Sequence, residues 1–257
     1  MTLRVAWISH CPVKGLAVLQ LDECELTEAG IAGDRGFFLV DENDLLVNAK
    51  GLGCLQQVVP GYDDATGTLA LAFPDGTTVS EQVGLDGSLG ARFWGDTFDV
   101  RVVAGPWSEA LSEFAGRELR LVRAPAPATD RRRSGAATLL GTGSLRALAE
   151  ALGVDDVDER RFRMNFGVDG LEEHEEDEWI GRRVRLGDAV VVPQGNVGRC
   201  AVTTQNPETG SPDLDTLKAL AAYRGLVETS EPLPFGVYAA VAETGRVRVG
   251  DPVELDA

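Results

Sequence analysis

Apolar and polar residues alternate in short runs through most of the chain, and turn-forming residues cut the runs every few positions. That pattern predicts strands. Thr2 to Ile8 reads as a strand from the start, and Phe37-Phe38-Leu39-Val40-Asp41 and Leu69-Ala70-Leu71-Ala72-Phe73 are two more. Turn signals follow both runs, Asp41-Glu42-Asn43-Asp44 after the first and Pro74-Asp75-Gly76 after the second. Phe98 to Val103 continues the series. Helical spacing appears in fewer places. Trp107, Leu111 and Phe114 share a face over 106–115. Leu145, Leu148, Ala149 and Leu152 share one over 144–152, with Thr142 or Ser144 as the N-cap. A third helix is expected over 214–223, opened by Asp213. Further strands are expected at 161–168, 184–186, 189–192, 236–241, 247–249 and 253–255. The expected fold class is mainly β with a few helices (α+β), with a β-rich domain over 1–95 and a second domain over 96–257.

Two segments interrupt this rhythm. Residues 124–137 carry Ala124-Pro125-Ala126-Pro127 and then Arg131-Arg132-Arg133, which reads as an exposed loop. A triple arginine reverses the local sign of charge; it is either a solvated loop or a gate for an anionic ligand. The run Glu172-Glu173-His174-Glu175-Glu176-Asp177-Glu178 invites a metal reading, but such charge runs are usually solvated loops, and that reading is preferred.

The net charge of −17 over 257 residues disfavours binding to nucleic acid or to anionic membrane surfaces. The four cysteines, Cys11, Cys24, Cys54 and Cys200, form no CxxC pair and no disulfide framework. No signal segment opens the chain, and no apolar run approaches the roughly 18 residues of a spanning helix. The expectation is a cytoplasmic protein in a reducing compartment, with neither a nucleic-acid nor a membrane partner.

Among the cysteines, Cys200 has the most suggestive setting. It ends a valine-rich strand pattern, stands beside Arg199, and opens the polar, turn-forming run that reaches Gly210. A neighbouring guanidinium favours the thiolate, the form that attacks or binds a soft metal. The competing reading is a buried small hydrophobe.

Several segments together resemble the MOSC-domain family with its N-terminal β-barrel domain. Pro12-Val13-Lys14-Gly15 is similar to a motif near the start of the N-terminal domain, and Gly30 to Asp41, with its Asp34-Arg35 pair, to a later one. Arg161-Phe162-Arg163-Met164-Asn165-Phe166, the Arg199-Cys200 run, Pro234 to Tyr238 and Val249 to Val253 resemble segments of the MOSC domain in order. The resemblance implies an N-terminal β-barrel-like domain followed by a MOSC β-barrel domain. It implies a molybdenum cofactor (molybdopterin, Mo), with Cys200 as the metal ligand and Lys14, Arg35 and Arg163 as anchors for the cofactor's phosphate. Ser134, Gly135, Ala136, Asn165 and Arg199 stand at softer cofactor-binding positions. Gly15, Met164 and Lys50 depart from the residues usual there.

The family includes the amidoxime-reducing components, so the resemblance implies an oxidoreductase acting on small-molecule N-hydroxylated or N-oxide-type substrates. No iron–sulfur cysteine set or dinucleotide glycine motif is present, and no ferredoxin domain follows Ala257, so electrons are expected from a separate ferredoxin, flavodoxin or cytochrome-type protein. A second function of a different class is a sulfur carrier, with Cys200 holding a persulfide. A third is cofactor storage without turnover.

Overall fold

The computed structural model describes residues 2–93, 95–124, 132–225, 227–229 and 231–255. The protein is mostly strand, as expected, and the strands form two main sheets. The first is antiparallel, in the order Gly84–Phe93, Asp96–Ala104, Arg120–Arg123, Phe37–Val40 and Leu46–Val47. Phe37, Leu39, Leu69, Leu71, Val103 and Leu121 fill its core. Helix α1 (Trp107–Ala115) lays Trp107 and Leu111 against that core, and the Trp107 indole N–H donates to Leu69 O at 3.1 Å.

The second sheet has eight strands and holds the other core, built on Ile8, Leu139, Phe166, Val191 and Val237. Its order is Val253–Leu255, Val184–Leu186, Ala189–Gly198, Pro234–Glu243, Ala137–Gly141, Phe166–Asp169, Arg4–His10 and Leu19–Leu21. Ala137–Gly141 and Phe166–Asp169 run parallel, which requires a crossover, and helix α2 (Thr142–Leu152) supplies it.

The two halves of the sequence are interleaved. The first strand, Arg4–His10, pairs with Phe166–Asp169 in the second sheet, and Glu23–Thr27 pairs with Gly245–Arg248. The boundary expected after residue 95 falls inside the hairpin of Gly84–Phe93 and Asp96–Ala104. Neither ladder closes as a continuous barrel. In the large sheet a single bridge, Arg4 with Pro252, ties the first strand to the segment entering the last. Backbone bonds flank it, from Val253 N–H to Leu3 O at 3.0 Å and from Val5 N–H to Asp251 O at 2.9 Å. In the smaller sheet a single bridge, Leu45 with Arg92, joins the edges, next to the left-handed turn at Asp44 (φ 59°).

Four local expectations change. Residues 159–162 form a 3-10 turn capped by Asp158, and the strand begins only at Phe166. The cause is Arg163, whose left-handed backbone (φ 55°) ends the turn. Helix α3 starts at Thr216, not Leu214, and Asp213 binds Arg161 instead of capping it. Helix α2 opens at Thr142 with Gly141 at its cap position, so no side chain caps it, and the Ser144 hydroxyl donates to Glu176. The acidic run is not simply a solvated loop. It forms a 3-10 turn, Glu175–Trp179, that buries Glu176 and Trp179. Among the described residues no cluster of His, Cys, Asp or Glu could hold a metal ion, and no helix is long and apolar enough to cross a membrane. The side chains of the Arg131-Arg132-Arg133 run lie outside the described residues.

His174 lies beside that turn, stacked on Tyr223 and edge-on to Phe235, and neither ring nitrogen has a hydrogen-bond partner. Burial, helped by Arg224, pulls its pKa from 6.5 down to about 4. The unfolded chain therefore binds more protons between those values, and stability falls as pH drops through that window. His174→Asn keeps a residue suited to the left-handed backbone (φ 57°) and removes the titration. Urea unfolding of this variant should show a weaker loss of stability from pH 6.5 to 4 than wild type shows. An unchanged pH slope contradicts a buried neutral histidine.

Candidate functional site

The strand Ala189–Gly198 leads directly to the site. Arg199 follows it, Cys200 is extended (φ −133°, ψ 179°), and a 3-10 turn begins at Ala201. Cys200 is exposed, whereas Cys11 and Cys24 are buried and Cys54 is half-buried. Cys200 lines a cavity of about 510 Å³ whose walls come from both halves of the chain. Lys14, Arg35, Gly135, Arg163 and Arg199 share that lining. These residues are far apart in sequence, and folding brings them to one cavity. Lys50 and Arg161 add two more cations, and Glu231 is the one acidic side chain among the described lining residues.

Ser134, Ala136 and Asn165 do not line the cavity. Ser134 is exposed and Ala136 is buried. Asn165 is buried behind the wall, where its amide donates to Ser9 O and to Asp34 Oδ2, both at 3.2 Å, and its own Oδ1 accepts from Thr138.

Asp34 is the centre of this wall. Its carboxylate is 2% exposed. Oδ1 accepts the Cys11 backbone N–H at 2.7 Å, and Oδ2 accepts from Arg35 Nη1 at 2.6 Å and from Asn165. Arg35 Nη2 goes on to Arg163 O at 2.8 Å. Arg163 Nη2 in turn donates to Leu16 O at 2.7 Å and to Cys11 Sγ at 3.1 Å. Burial pushes the Cys11 thiol up, with Arg163 opposing it, so Cys11 is a buried partner of Arg163 and not a second reactive thiol. Arg35 and Arg163 both hold left-handed backbones (φ 49° and 55°), which side chains adopt only when their surroundings impose it. The bonds around Asp34 are those surroundings.

Arg199 lines the cavity but acts as a brace. It is 8% exposed and donates to Phe162 O at 3.0 Å, to Met164 Sδ at 3.0 Å and to Phe235 O. Burial pulls its pKa down to about 9, with Cys200 and Glu176 opposing the shift, so it stays cationic at neutral pH. The cage fixes the guanidinium at the cavity wall.

Arg161 was not among the expected site residues. It grips the Cys200 loop, donating to Gln205 O at 2.9 Å and, through both terminal nitrogens, to the Asp213 carboxylate at 2.7 and 3.0 Å. The opposite side of the loop docks on residues 49–57. Gln205 bonds Gln56 Nε2 at 2.8 Å and Ala49 O at 3.0 Å. Gly53 and Gly210 abut so closely that a Cβ on Gly210 would stand 1.9 Å from Gly53 O. Nothing in the local spacing marks these long-range contacts. Asp34 did carry a signal, the Asp-Arg pair between Gly33 and Gly36.

Fold and site together define the class. Residues 2–117 match the MOSC N-terminal beta barrel domain and residues 131–254 the MOSC domain, and the chain belongs to the MOSC-domain proteins. It is similar to mitochondrial amidoxime-reducing component 1 of Xenopus laevis, at 28% identity over 94% of this chain and 79% of that one. It is also similar to mitochondrial amidoxime reducing component 2 of Rattus norvegicus, at 39% identity over 99 residues, which is 36% of this chain and only 28% of that protein. The fold is shared with the YUAD protein from Bacillus subtilis, at a TM-score of 0.52 and 13% identity over 99% of this chain and 96% of that one.

Removing the Asp34 carboxylate leaves Arg35, Asn165 and the Cys11 amide without their buried acceptor. Asp34→Ala should lower the free energy of urea unfolding by about 3 kcal/mol or more. A loss like that of an ordinary surface substitution, within about 0.5 kcal/mol, contradicts this role for Asp34.

Proposed function

We propose that this protein is a molybdenum-cofactor-dependent oxidoreductase that reduces N-hydroxylated or N-oxide-type small molecules. The observation that carries this reading is an exposed thiol, Cys200, at a cavity lined by cations drawn from both halves of the chain.

The residues fit such a group. The cavity volume of about 510 Å³ lies within the range of roughly 300 to 1,000 Å³ common for small-molecule sites. Lys14, Arg35 and Arg163 converge there, and an arginine fork suits a phosphate. Lys50 adds a single ammonium, a point charge in place of a fork. Gly15 departs from the usual serine, and its backbone explains the change. It sits at φ 95°, and a side chain would stand 3.3 Å from Asn48 Cα. Met164, in place of the usual proline, lends its sulfur to the Arg199 cage.

In this reading Lys14, Arg35 and Arg163 hold the cofactor's phosphate, and the Cys200 thiolate gives the metal a soft sulfur ligand. The cofactor supplies, when bound, a redox metal able to pass two electrons to an N–O bond. The chain's own task is positional. The Asp34 network fixes the cationic wall, Arg161 and Gln205 fix the Cys200 loop, and Arg199 braces the backbone behind the thiol. Electrons come from a separate donor protein of ferredoxin, flavodoxin or cytochrome type. The relatives' names support the substrate class, and Cys200 is the residue on which the reading depends.

Turnover of an aromatic amidoxime with a chemical reductant should fall by at least about 100-fold in Cys200→Ala, the order of loss that follows when a metal's surroundings are disturbed. Wild-type turnover in that variant contradicts the proposal.

A further inference from the structure

Arg199 is an exception among the buried arginines. Arg161 and Arg224 are as deeply buried, and each is paired with a carboxylate, Asp213 at 2.7 Å and Asp177 at 2.6 Å. Arg199 has only neutral acceptors. Its Nε donates to Phe235 O at 2.9 Å, Nη1 to Phe162 O at 3.0 Å, and Nη2 to Met164 Sδ at 3.0 Å and to Phe235 O. The rings of Phe162 and Phe235 lie 5.3 and 5.9 Å from its central carbon. Among the described residues no carboxylate forms an ion pair with it. Glu176, whose field reaches it, is turned to the Ser144 hydroxyl, at 2.7 and 2.9 Å.

A buried cation without a counter-charge is costly. At Arg161 and Arg224 a carboxylate offsets that cost, and at Arg199 none does. The missing anion has a place. Arg199 and Cys200 line the same cavity, and Cys200 is the other group whose charge the guanidinium senses. The cage holds the guanidinium still without neutralising it, so its positive field is left for an anion in the cavity. Met164 is part of that arrangement. Its neutral sulfur sits where a glutamate, of similar length, would form an ion pair.

We propose that Arg199 is a positioning residue acting through Cys200: its uncompensated charge places a positive potential at the sulfur and thereby raises the reduction potential of the metal held there. Reduction adds negative charge to the centre, and a fixed cation close by favours it. The redox part rests on the molybdenum reading proposed above. The electrostatic part does not, because the field acts at the Cys200 sulfur with or without a metal.

The test compares variants with wild type. Arg199→Gln removes the charge, and Met164→Glu neutralises it by pairing while leaving the carbonyl bonds in place. Arg199→Lys keeps the charge, and Met164→Gln replaces the sulfur without adding one. In metal-free protein, from cells grown without molybdate, alkylation of Cys200 by iodoacetate and by iodoacetamide is followed by mass spectrometry of its peptide. The ratio of the two rates reports the potential at the sulfur, because both reagents attack the same thiolate and only one is charged. That ratio should fall about tenfold in Arg199→Gln and Met164→Glu and stay within about twofold in Arg199→Lys and Met164→Gln. In molybdenum-loaded protein, a redox titration followed by EPR should show the one-electron midpoint of the metal falling by about 59 mV, the equivalent of tenfold, in the two neutralised variants alone. If Arg199→Gln does not fold, Met164→Glu carries the test. A ratio unchanged by neutralisation overturns the proposal, as does an unchanged midpoint in loaded protein. Equal shifts in the charge-keeping variants also overturn it, since they mark a structural role. If purified wild type binds no molybdenum, the cofactor reading fails, and the alkylation ratio still decides the role of Arg199.

Discussion

A single buried carboxylate organises one wall of the cavity. Asp34 takes hydrogen bonds from the backbone after the first strand, from the Arg35 guanidinium and from the Asn165 amide. Those three segments also carry Lys14, Arg35 and Arg163, the cations that line the cavity. A buried charge is tolerated only when paired and hydrogen-bonded, and here satisfying the charge also sets the geometry of the wall. The left-handed backbones at Arg35 and Arg163 follow from the same constraint.

The opposite wall depends on contacts between the two halves of the chain. The Cys200 loop is closed on one side by Arg161 and Asp213, and on the other by Gln205 reaching Gln56 and Ala49. Gly53 and Gly210 let the two backbones touch. The first strand of the chain lies in the second sheet, so neither half completes the site alone. The cavity is a product of the interleaved fold and not of one domain with another attached.

Much of this was readable from residue order. Alternation marked most strands, and helical spacing marked α1 and α2 to within about two residues. The resemblance drew nine residues into one set, and six of them, Cys200, Lys14, Arg35, Gly135, Arg163 and Arg199, line the cavity, whereas Ser134, Ala136 and Asn165 do not. Other features depend on distances that no spacing encodes. Asn165 and Ala136 are buried, and Asn165 is held by Ser9, Asp34 and Thr138, all distant in sequence. Arg199 serves carbonyls because its strand end is buried against Phe162 and Phe235. Residues 161–165 alternate like a strand, yet Asp158 caps a turn there and Arg163 ends it. The acidic run looked uniformly solvated, but burial of Glu176 is set by Ser144, 32 residues away, and is invisible to local charge patterning.

The central claim is that the fold builds this cavity to hold an anionic metal cofactor at Cys200. Elemental and pterin analysis of protein freshly purified from cells supplied with molybdate tests it most directly. The account predicts near-stoichiometric molybdenum together with a phosphorylated pterin. Protein free of molybdenum and pterin, with labile sulfur on Cys200 instead, would contradict it.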